Sequence, residues 1–455
     1  MAHCVWAQAF CAAAFYLLFA ELGNGLHSPL RGNRGRNRHT NTGADCTGHG
    51  PAGNGCLHHE YRHCHRTGIP GTVGLSLPSI WPVKEGWALF IYYKNRIISL
   101  IICILILLTC ICLSLALQTT QPTQLWDEKM RAAQIMTDCM ARIQAYQAEL
   151  GILPVEEDIH KTGLLGPRYT PITTTLGAPE AKRTTADSQM AALVVELLDE
   201  AGISSGDTVG AGFSGSFPGM NLAVLSACSA MEVNIIFIPS VGASTFGATW
   251  PQLTFPEIAY RLFCDGLLPT SAAAYSMGGT RDCGIGMDPA VVSEIQSRMK
   301  QTGIEFLYEE SYEKNIAARM KIYETLGPID CFIGVGGNIT TSGVSEIQLD
   351  WGVLHGLETQ PLTQKSGLLQ HYAAQGIPVI HLLNIKQLVA DYGLPYDPAE
   401  QIPPGEGPLF FSPKYPLWPT VVGILTSFAV LGYSRNKERT RRRIQDVRDN
   451  HHFVH

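Results

Sequence analysis

An uninterrupted apolar run from residue 97 to residue 117 constrains this chain more than any other feature of its sequence. The run holds 21 residues and no charged side chain. A helix rises about 1.5 Å per residue, so the segment would measure about 30 Å, the thickness of the hydrocarbon core of a bilayer. Helices of soluble proteins rarely continue so far without a charge. The run therefore predicts a transmembrane helix over residues 97–117.

A second apolar run covers residues 417–433, at the short end of the length that spans a bilayer. Trp418 and Tyr433 stand at its two ends, where membrane helices carry an aromatic belt. Basic residues precede the first run and follow the second: Lys84, Lys94, Arg96, Arg435, Lys437, Arg439, Arg441, Arg442 and Arg443. Because basic flanks stay in the cytoplasm, we predict two transmembrane helices in a cytoplasmic membrane, with both chain ends inside. Residues 434–455 then form a basic cytoplasmic tail.

Residues 1–83 differ in composition from the rest of the chain. They contain no Lys, yet they hold 8 of the 15 His and 5 of the 13 Cys. We interpret them as a disordered extension, or as an upstream reading frame translated in error, in which case Val83 is the true start. A zinc site is a third interpretation, although the spacing matches no common zinc pattern. Its ligands would come from Cys56, His58, His59, His63, Cys64 and His65.

The segment between the two apolar runs is predicted to lie outside the cytoplasm. We expect a helical stalk and connector over residues 118–184, an α/β domain over residues 185–400, and a Pro-rich linker over residues 401–416. In the α/β domain, short strands that are apolar on both faces alternate with helices, which is typical of a Rossmann-like, mostly parallel sheet. The strands are expected at residues 208–213, 234–239, 271–275, 306–308, 331–335 and 379–381.

The charge of this outer segment limits its partners. Residues 118–414 hold 17 Lys and Arg against 32 Asp and Glu, a net charge near −15. Such a surface repels nucleic acid and also a long polyanion, although salt screens the repulsion beyond about 8–10 Å. We therefore expect no nucleic-acid partner, and at most the binding of a chain end or a small ligand.

Four of the predicted strands end in loops rich in glycine and serine. In open parallel sheets, ligands bind at the carboxyl ends of the strands. We therefore predict ligand-binding residues in these loops: Gly212, Gly215, Ser240, Ser244, Gly278, Gly279, Gly336, Gly337 and Asn338. The first loop contains a formal G-x-G-x-x-G at residues 210–215, but Ser240 and its neighbours stand where a dinucleotide site needs an acidic residue. We expect no nucleotide, no other cofactor and no metal.

Three residues of the same loops are candidates for catalysis. Ser214 and Ser216 lie at a strand-to-helix turn, the place of a serine nucleophile in many hydrolases, although the G-x-S-x-G pattern is incomplete. Asp282 follows another strand and would act as an acid or base. Each of the three has a plainer alternative as a turn or helix-cap residue.

Several of these stretches resemble one protein family. They are residues 205–223, with Gly212-Phe-Ser-Gly-Ser-Phe-Pro-Gly-Met-Asn-Leu-Ala223, then residues 240–248, Gly278-Gly-Thr-Arg-Asp282 and Gly334-Val-Gly-Gly-Asn338. Over residues 90–435, and not over residues 1–83, the chain resembles the poly-γ-glutamate system protein family of bacterial membrane proteins. The resemblance implies a role in making or exporting poly-γ-glutamate, with other proteins of that system and the lipid bilayer as partners. It implies no catalytic residue.

Three functions remain open on the sequence. The first is an accessory, membrane-anchored component of poly-γ-glutamate synthesis or export, whose loops bind a carboxylate or the end of the polymer. The second is an extracytoplasmic hydrolase or transferase that acts on γ-glutamyl amide bonds. The third is a periplasmic module that senses or binds a small carboxylate. We favour the accessory role, because no nucleophile or metal set with clear geometry is obvious in the sequence.

Overall fold

The computed structural model describes residues 83–344, 349–356 and 361–451. The predictions for residues 1–82, an extension or a zinc cluster, lie outside the described residues. The helices in chain order are α1 (Val83–Ala116), α2 (Trp126–Glu149), α3 (Pro179–Thr185), α4 (Gln189–Glu200), α5 (Pro218–Ala230), α6 (Phe255–Cys264), α7 (Pro289–Lys300), α8 (Tyr312–Leu326), α9 (Ile339–Ser342), α10 (Leu368–Ala373), α11 (Ile385–Asp391) and α12 (Trp418–His451). The strands are β1 (Thr119–Pro122), β2 (Thr173–Thr175), β3 (Thr208–Phe213), β4 (Asn234–Pro239), β5 (Ala243–Ser244), β6 (Ala274–Tyr275), β7 (Glu305–Phe306), β8 (Cys331–Val335), β9 (Gly352–Leu354), β10 (Val379–Leu382) and β11 (Phe411–Lys414).

A five-stranded sheet in the order β4-β3-β8-β10-β9 forms the centre of the domain. Strands β4, β3, β8 and β10 run parallel, and β9 pairs antiparallel with β10 at one edge. Strand β3 is buried on both faces: Ala211 and Phe213 face the main core, while Gly212 lets Thr341 pack closely on the other side. Strands buried on both faces are typical of parallel sheets. The prediction of a mixed α/β fold with a mostly parallel sheet is therefore confirmed.

Two of the predicted strands do not join this sheet. The run at 271–275 shortens to β6, and the run at 306–308 overlaps β7 only at Phe306; β6 and β7 pair with each other as a separate parallel ladder. A parallel bridge between Ser240 and Ser276 connects this ladder to the end of β4, where the Ser276 N–H donates to the Pro239 carbonyl at 3.1 Å. Apolar residues are buried in loops as well as in strands here, so hydrophobicity alone overestimated the strand lengths.

Helix α2 belongs to the core of the domain instead of standing apart as a stalk. Its buried face includes Met136 and Ile143, which join the same hydrophobic cluster as Leu193 of α4. The structure therefore corrects the predicted division between a stalk at 118–184 and a domain at 185–400. The amphipathic pattern showed that α2 has an apolar face, but it did not show what covers that face.

The predicted Pro-rich linker at residues 401–416 also contributes to the domain. Leu409 and Phe410 are buried in the main core. Strand β11 then pairs antiparallel with β1, with Thr119 opposite Lys414. The chain thus leaves α1 and returns to α12 through one two-stranded ladder.

Among the described residues, one helical segment is long and apolar enough to cross a membrane, Lys94–Ala116 within α1. The second predicted span, residues 417–433, corresponds to the first half of α12. The two helices pack together: the Ser99 hydroxyl donates to the Ser434 hydroxyl at 3.0 Å. Gly423 permits a close approach further along, because a Cβ there would lie 2.9 Å from the sulfur of Cys110.

Candidate functional site

The Gly/Ser loops lie together at the carboxyl edge of the central sheet. The Ser240 N–H donates to the Phe213 carbonyl at the end of β3, and the Ser214 N–H donates to the Val335 carbonyl at the end of β8. The Asn338 amide, in the loop after β8, donates to the Ser240 hydroxyl at 3.4 Å. This convergence follows from the parallel topology, which brings the ends of these strands to the same edge.

Close packing explains several of the glycines in these loops. A Cβ at Gly215 would lie 2.7 Å from the Val241 carbonyl oxygen, and one at Gly336 would lie 3.1 Å from the Cβ of Ser214. Positive φ angles, which glycine adopts without strain, occur at Gly278, Gly279 and Gly336. Gly337 is less crowded, since a Cβ there would meet only the Leu383 side chain, at 3.7 Å.

Ser214 closes the turn between β3 and α5. Its side chain is buried, and its Oγ accepts the Ser216 N–H at 3.2 Å. Its carbonyl accepts a hydrogen bond from the Asn221 amide at 2.8 Å. These contacts are those of a turn residue, and they account for Ser214 without a catalytic role.

Ser216 and Ser244 both accept a hydrogen bond from Lys182 of α3. Lys182 Nζ donates to Ser244 Oγ at 2.9 Å and also to the Ser216 carbonyl oxygen. Ser216 Oγ in turn accepts the Ser244 N–H at 2.9 Å. The ring of Phe217, at the start of α5, has its centroid 3.4 Å from the same Nζ. We refer to Lys182, Ser216, Phe217 and Ser244 as the Lys182 group.

The ammonium of Lys182 has no neutralising carboxylate in the part of the chain that the structure describes. The side chain is 2% exposed, and within the described residues it forms no ion pair. Burial disfavours the charged amine and lowers the pKa of Lys182 from 10.5 to about 7. Lys129 is equally buried but pairs with Glu196. Lys182 is therefore divided between its charged and neutral forms near neutral pH, which is unusual for a lysine.

A short segment, residues 173–178, covers the Lys182 group; we refer to it as the strap. Its strand β2 pairs in parallel with β5, which places Thr175 opposite Ser244. The Gly177 N–H donates to Thr245 Oγ1 at 2.7 Å, and the Thr245 hydroxyl donates to the Gly177 carbonyl at 2.9 Å. A Cβ at Gly177 would lie 2.7 Å from Ser244 Oγ, so only glycine allows the strap to come this close.

Asp282 lies in a buried ion pair. Its Oδ2 accepts from Arg319 at 2.6 Å and from the Asn315 amide at 3.2 Å, and its Oδ1 accepts from the Ser276 hydroxyl at 2.8 Å. Asp282 is fully buried, and Arg319 is 1% exposed. Both carboxylate oxygens are held by fixed partners that tie the loop after β6 to α8. The geometry thus favours a structural role for Asp282 over the predicted acid or base role.

The chemistry of the loop edge suits an anion or an acyl group better than a cation. Within the described residues, no group of three or more His, Cys, Asp or Glu side chains is placed to hold a metal ion. The Lys182 group offers an amine and two hydroxyls at one place. Anions accept hydrogen bonds from such donors, and carbonyl carbon atoms are attacked by such hydroxyls.

Lys182 was not among the residues that the sequence predicted for the site. It stands in the segment interpreted as a connector, before the first strand of the sheet. Its neighbour Arg183 has the same local context, but Arg183 turns the other way and pairs with Asp397. Nothing in the pattern of residues distinguishes the inward lysine from the outward arginine, because the packing of α3 decides which one is buried.

Comparisons of the chain with protein-family models, with curated proteins and with solved structures found no match.

Proposed function

We propose that this chain is a membrane-anchored component of poly-γ-glutamate synthesis or export, whose outer, Rossmann-like domain binds a carboxylate at the Lys182 group. The observation that supports carboxylate binding is the buried ammonium of Lys182, which has no acidic partner among the described residues. An incoming carboxylate would supply the missing charge and accept hydrogen bonds from the amine and from Ser244. The pathway is supported by the resemblance of the loop sequences.

The charge of the domain favours one part of a polymer over another. The net charge near −15 over residues 118–414 repels a long polyanion at a distance. A single ammonium attracts one carboxylate at short range, but it does not offset repulsion along many glutamyl units. The Lys182 group therefore suits the end of a chain or a small carboxylate.

Carboxylate binding is expected to take up a proton. Lys182 has a pKa lowered to about 7, and a bound carboxylate stabilises its charged form. The affinity for a carboxylate should therefore be highest below pH 7. Above pH 7 it should fall by up to about tenfold for each pH unit, because the amine must be protonated on binding.

The test is calorimetric titration of the full chain in detergent with glutamate and with γ-glutamylglutamate, at pH 6.5 and pH 8.5. Lys182→Met removes the charge and keeps a similar volume, so binding should be lost. Lys314→Met, on the exposed surface of α8, is the matched control and should bind normally. Equal affinity of the Lys182→Met variant and the parent chain would exclude this site.

Polymer output in producing cells tests the pathway. We expect Lys182→Met to lower the amount of polymer made or released at normal protein level, with Lys314→Met unchanged. A small-carboxylate sensor predicts a different result, namely normal output of polymer and an altered response to added glutamate.

We further propose that both apolar helices cross the membrane, with residues 118–414 outside the cytoplasm. The support is the contact of α12 along α1 and the basic residues beyond the two helices. An impermeant maleimide applied to intact cells should label Ser205→Cys, which is exposed on the domain, and not Thr440→Cys, which is exposed on the tail. Each adduct is located by peptide mass spectrometry, so that native cysteines such as the exposed Cys264 are read separately from the introduced ones. Labelling of both positions, or only of the tail, would overturn this topology.

A further inference from the structure

We propose that Ser244 and Lys182 form a nucleophile and general-base pair, and that the outer domain uses them to hydrolyse an amide or ester of a carboxylic acid. This inference goes beyond the proposed binding function. It uses the neutral form of Lys182, whereas carboxylate binding uses the charged form. It also concerns acyl compounds in general and does not depend on poly-γ-glutamate.

The inference rests on the distance between the Lys182 amine and the Ser244 hydroxyl. The 2.9 Å between Lys182 Nζ and Ser244 Oγ is within the range that a general base needs to remove the proton of a nucleophile. A lysine acts as a base only when it is neutral, and a buried amine without a carboxylate partner meets this condition. Serine–lysine pairs replace the Ser-His-Asp triad on other folds, where the lysine does the work of the histidine.

Ser216 is a positioning residue for this chemistry. Its hydroxyl accepts the Ser244 N–H at 2.9 Å, and its carbonyl accepts a hydrogen bond from Lys182. Ser216 thereby holds the main chain of the nucleophile and the head group of the base in one arrangement. Ser214, predicted as a nucleophile, has its Oγ directed to the backbone of the turn instead.

The reaction balances with water as the only co-reactant. Ser244 Oγ attacks the carbonyl carbon while its proton passes to neutral Lys182 Nζ, and a C–O bond to serine forms. The C–N or C–O bond of the substrate then breaks, and the leaving amine or alcohol takes a proton from the Lys182 ammonium. Water attacks the acyl-serine, gives a proton to Lys182 that returns to Ser244, and releases the carboxylic acid.

Access to Ser244 requires the strap to move. Ser244 is 5% exposed, and the backbone of Gly177 lies against its hydroxyl. The strap is held by the short β2–β5 pairing, by the Thr245 N–H, which donates to the Thr175 carbonyl, and by the two hydrogen bonds of the Thr245 hydroxyl. Thr245→Val keeps the shape of the side chain and removes both hydrogen bonds, so it should open the strap more often.

The test is covalent labelling of the full chain in detergent with a fluorophosphonate, a probe that reacts with activated serines, followed by peptide mass spectrometry. We expect one adduct, on Ser244. Its rate of formation should rise about tenfold per pH unit below pH 7 and level off above it, as Lys182 loses its proton. Ser244→Ala should abolish the adduct, Lys182→Met should slow it at least tenfold, and Thr245→Val should accelerate it. Ser205→Ala, on the exposed surface, is the matched control and should leave the rate unchanged.

Three results would overturn the inference: no adduct on the parent chain, an adduct on a serine other than Ser244, or an unchanged rate in a folded Lys182→Met chain. The titration with γ-glutamylglutamate separates this failure from that of the binding function. If Ser244 is not labelled while the carboxylate still binds through Lys182, the binding function stands and catalysis is excluded. If Ser244 is labelled and no carboxylate binds, the pair is catalytic and the binding function fails.

Discussion

Replacing Lys182 by Met should stabilise the protein at neutral pH and remove a large dependence of stability on pH. The pKa of this amine is 10.5 when it is fully solvated and about 7 in the folded domain. Between these two pH values the unfolded chain binds more protons than the folded chain. The free energy of unfolding therefore rises with pH in this window, and it levels off below pH 7 and above pH 10.5.

The magnitude follows from the size of the shift. Each pH unit within the window is worth about 1.4 kcal/mol, so the wild-type chain should gain about 4 kcal/mol between pH 7 and pH 10 relative to the Met variant. At pH 7 the Met variant loses two hydrogen bonds of the amine, each worth about 1 kcal/mol, but it no longer buries an unpaired charge. Its net stability at pH 7 should therefore exceed that of the wild-type chain.

Urea unfolding of both full chains in detergent, followed by tryptophan fluorescence at pH 7, 8, 9 and 10, measures this difference. Other titrating groups cancel because only the difference between the two chains is used. Lys314→Met, on the exposed surface of α8, is measured beside it as the control for the loss of a lysine. If the Lys182→Met difference does not change with pH, the amine of Lys182 is solvated in the folded state, and both proposals for the Lys182 group lose their basis.

Other substitutions test the packing around the site. Arg319→Met should destabilise the chain by about 3–5 kcal/mol, because it leaves the buried charge of Asp282 without its counter-charge. The double variant with Asp282→Asn should cost less than the sum of the two single variants in urea unfolding. Burial raises the pKa of Asp187 from 3.8 to about 6, so the folded state takes up a proton at a higher pH than the unfolded state does. Between pH 7 and pH 4 the wild-type chain should therefore gain about 3 kcal/mol of stability relative to an Asp187→Asn variant. Thermal unfolding of both chains at the two pH values measures this gain. Gly219→Ala should cost about 1–3 kcal/mol, because the new Cβ would collide with the Thr185 backbone, and urea unfolding again gives the value.

The central strands were predictable because each is a short run of apolar residues between two helices. The predicted runs at 208–213, 234–239 and 331–335 coincide with β3, β4 and β8, which are apolar and lie between helices. The ladder of β1 and β11 gave no such signal. All four residues of β1 are exposed and polar or proline, so their pairing depends on where α1 and α12 place the chain ends.

The meeting of the glycine and serine loops at the carboxyl edge of the sheet was predictable from the alternation of strands and helices. The presence of Lys182 at that edge was not. The charge at that edge comes from α3, which reaches it only because Gly219 has no side chain and lets the Thr185 backbone approach α5. Gly219 of α5 thus serves as the contact point for the helix that carries Lys182.

The close packing of other glycines determines how a ligand would enter the Lys182 group. Gly215 packs on the Val241 carbonyl, and Gly177 packs on the Ser244 hydroxyl, so these glycines close the edge of the sheet. A carboxylate or an acyl group must therefore take the place of the strap to reach Lys182. The fraction of chains with an open strap then scales both the affinity for a carboxylate and the labelling rate of Ser244. Thr245→Val, at a residue whose hydroxyl bonds only the strap, should therefore raise both by the same factor.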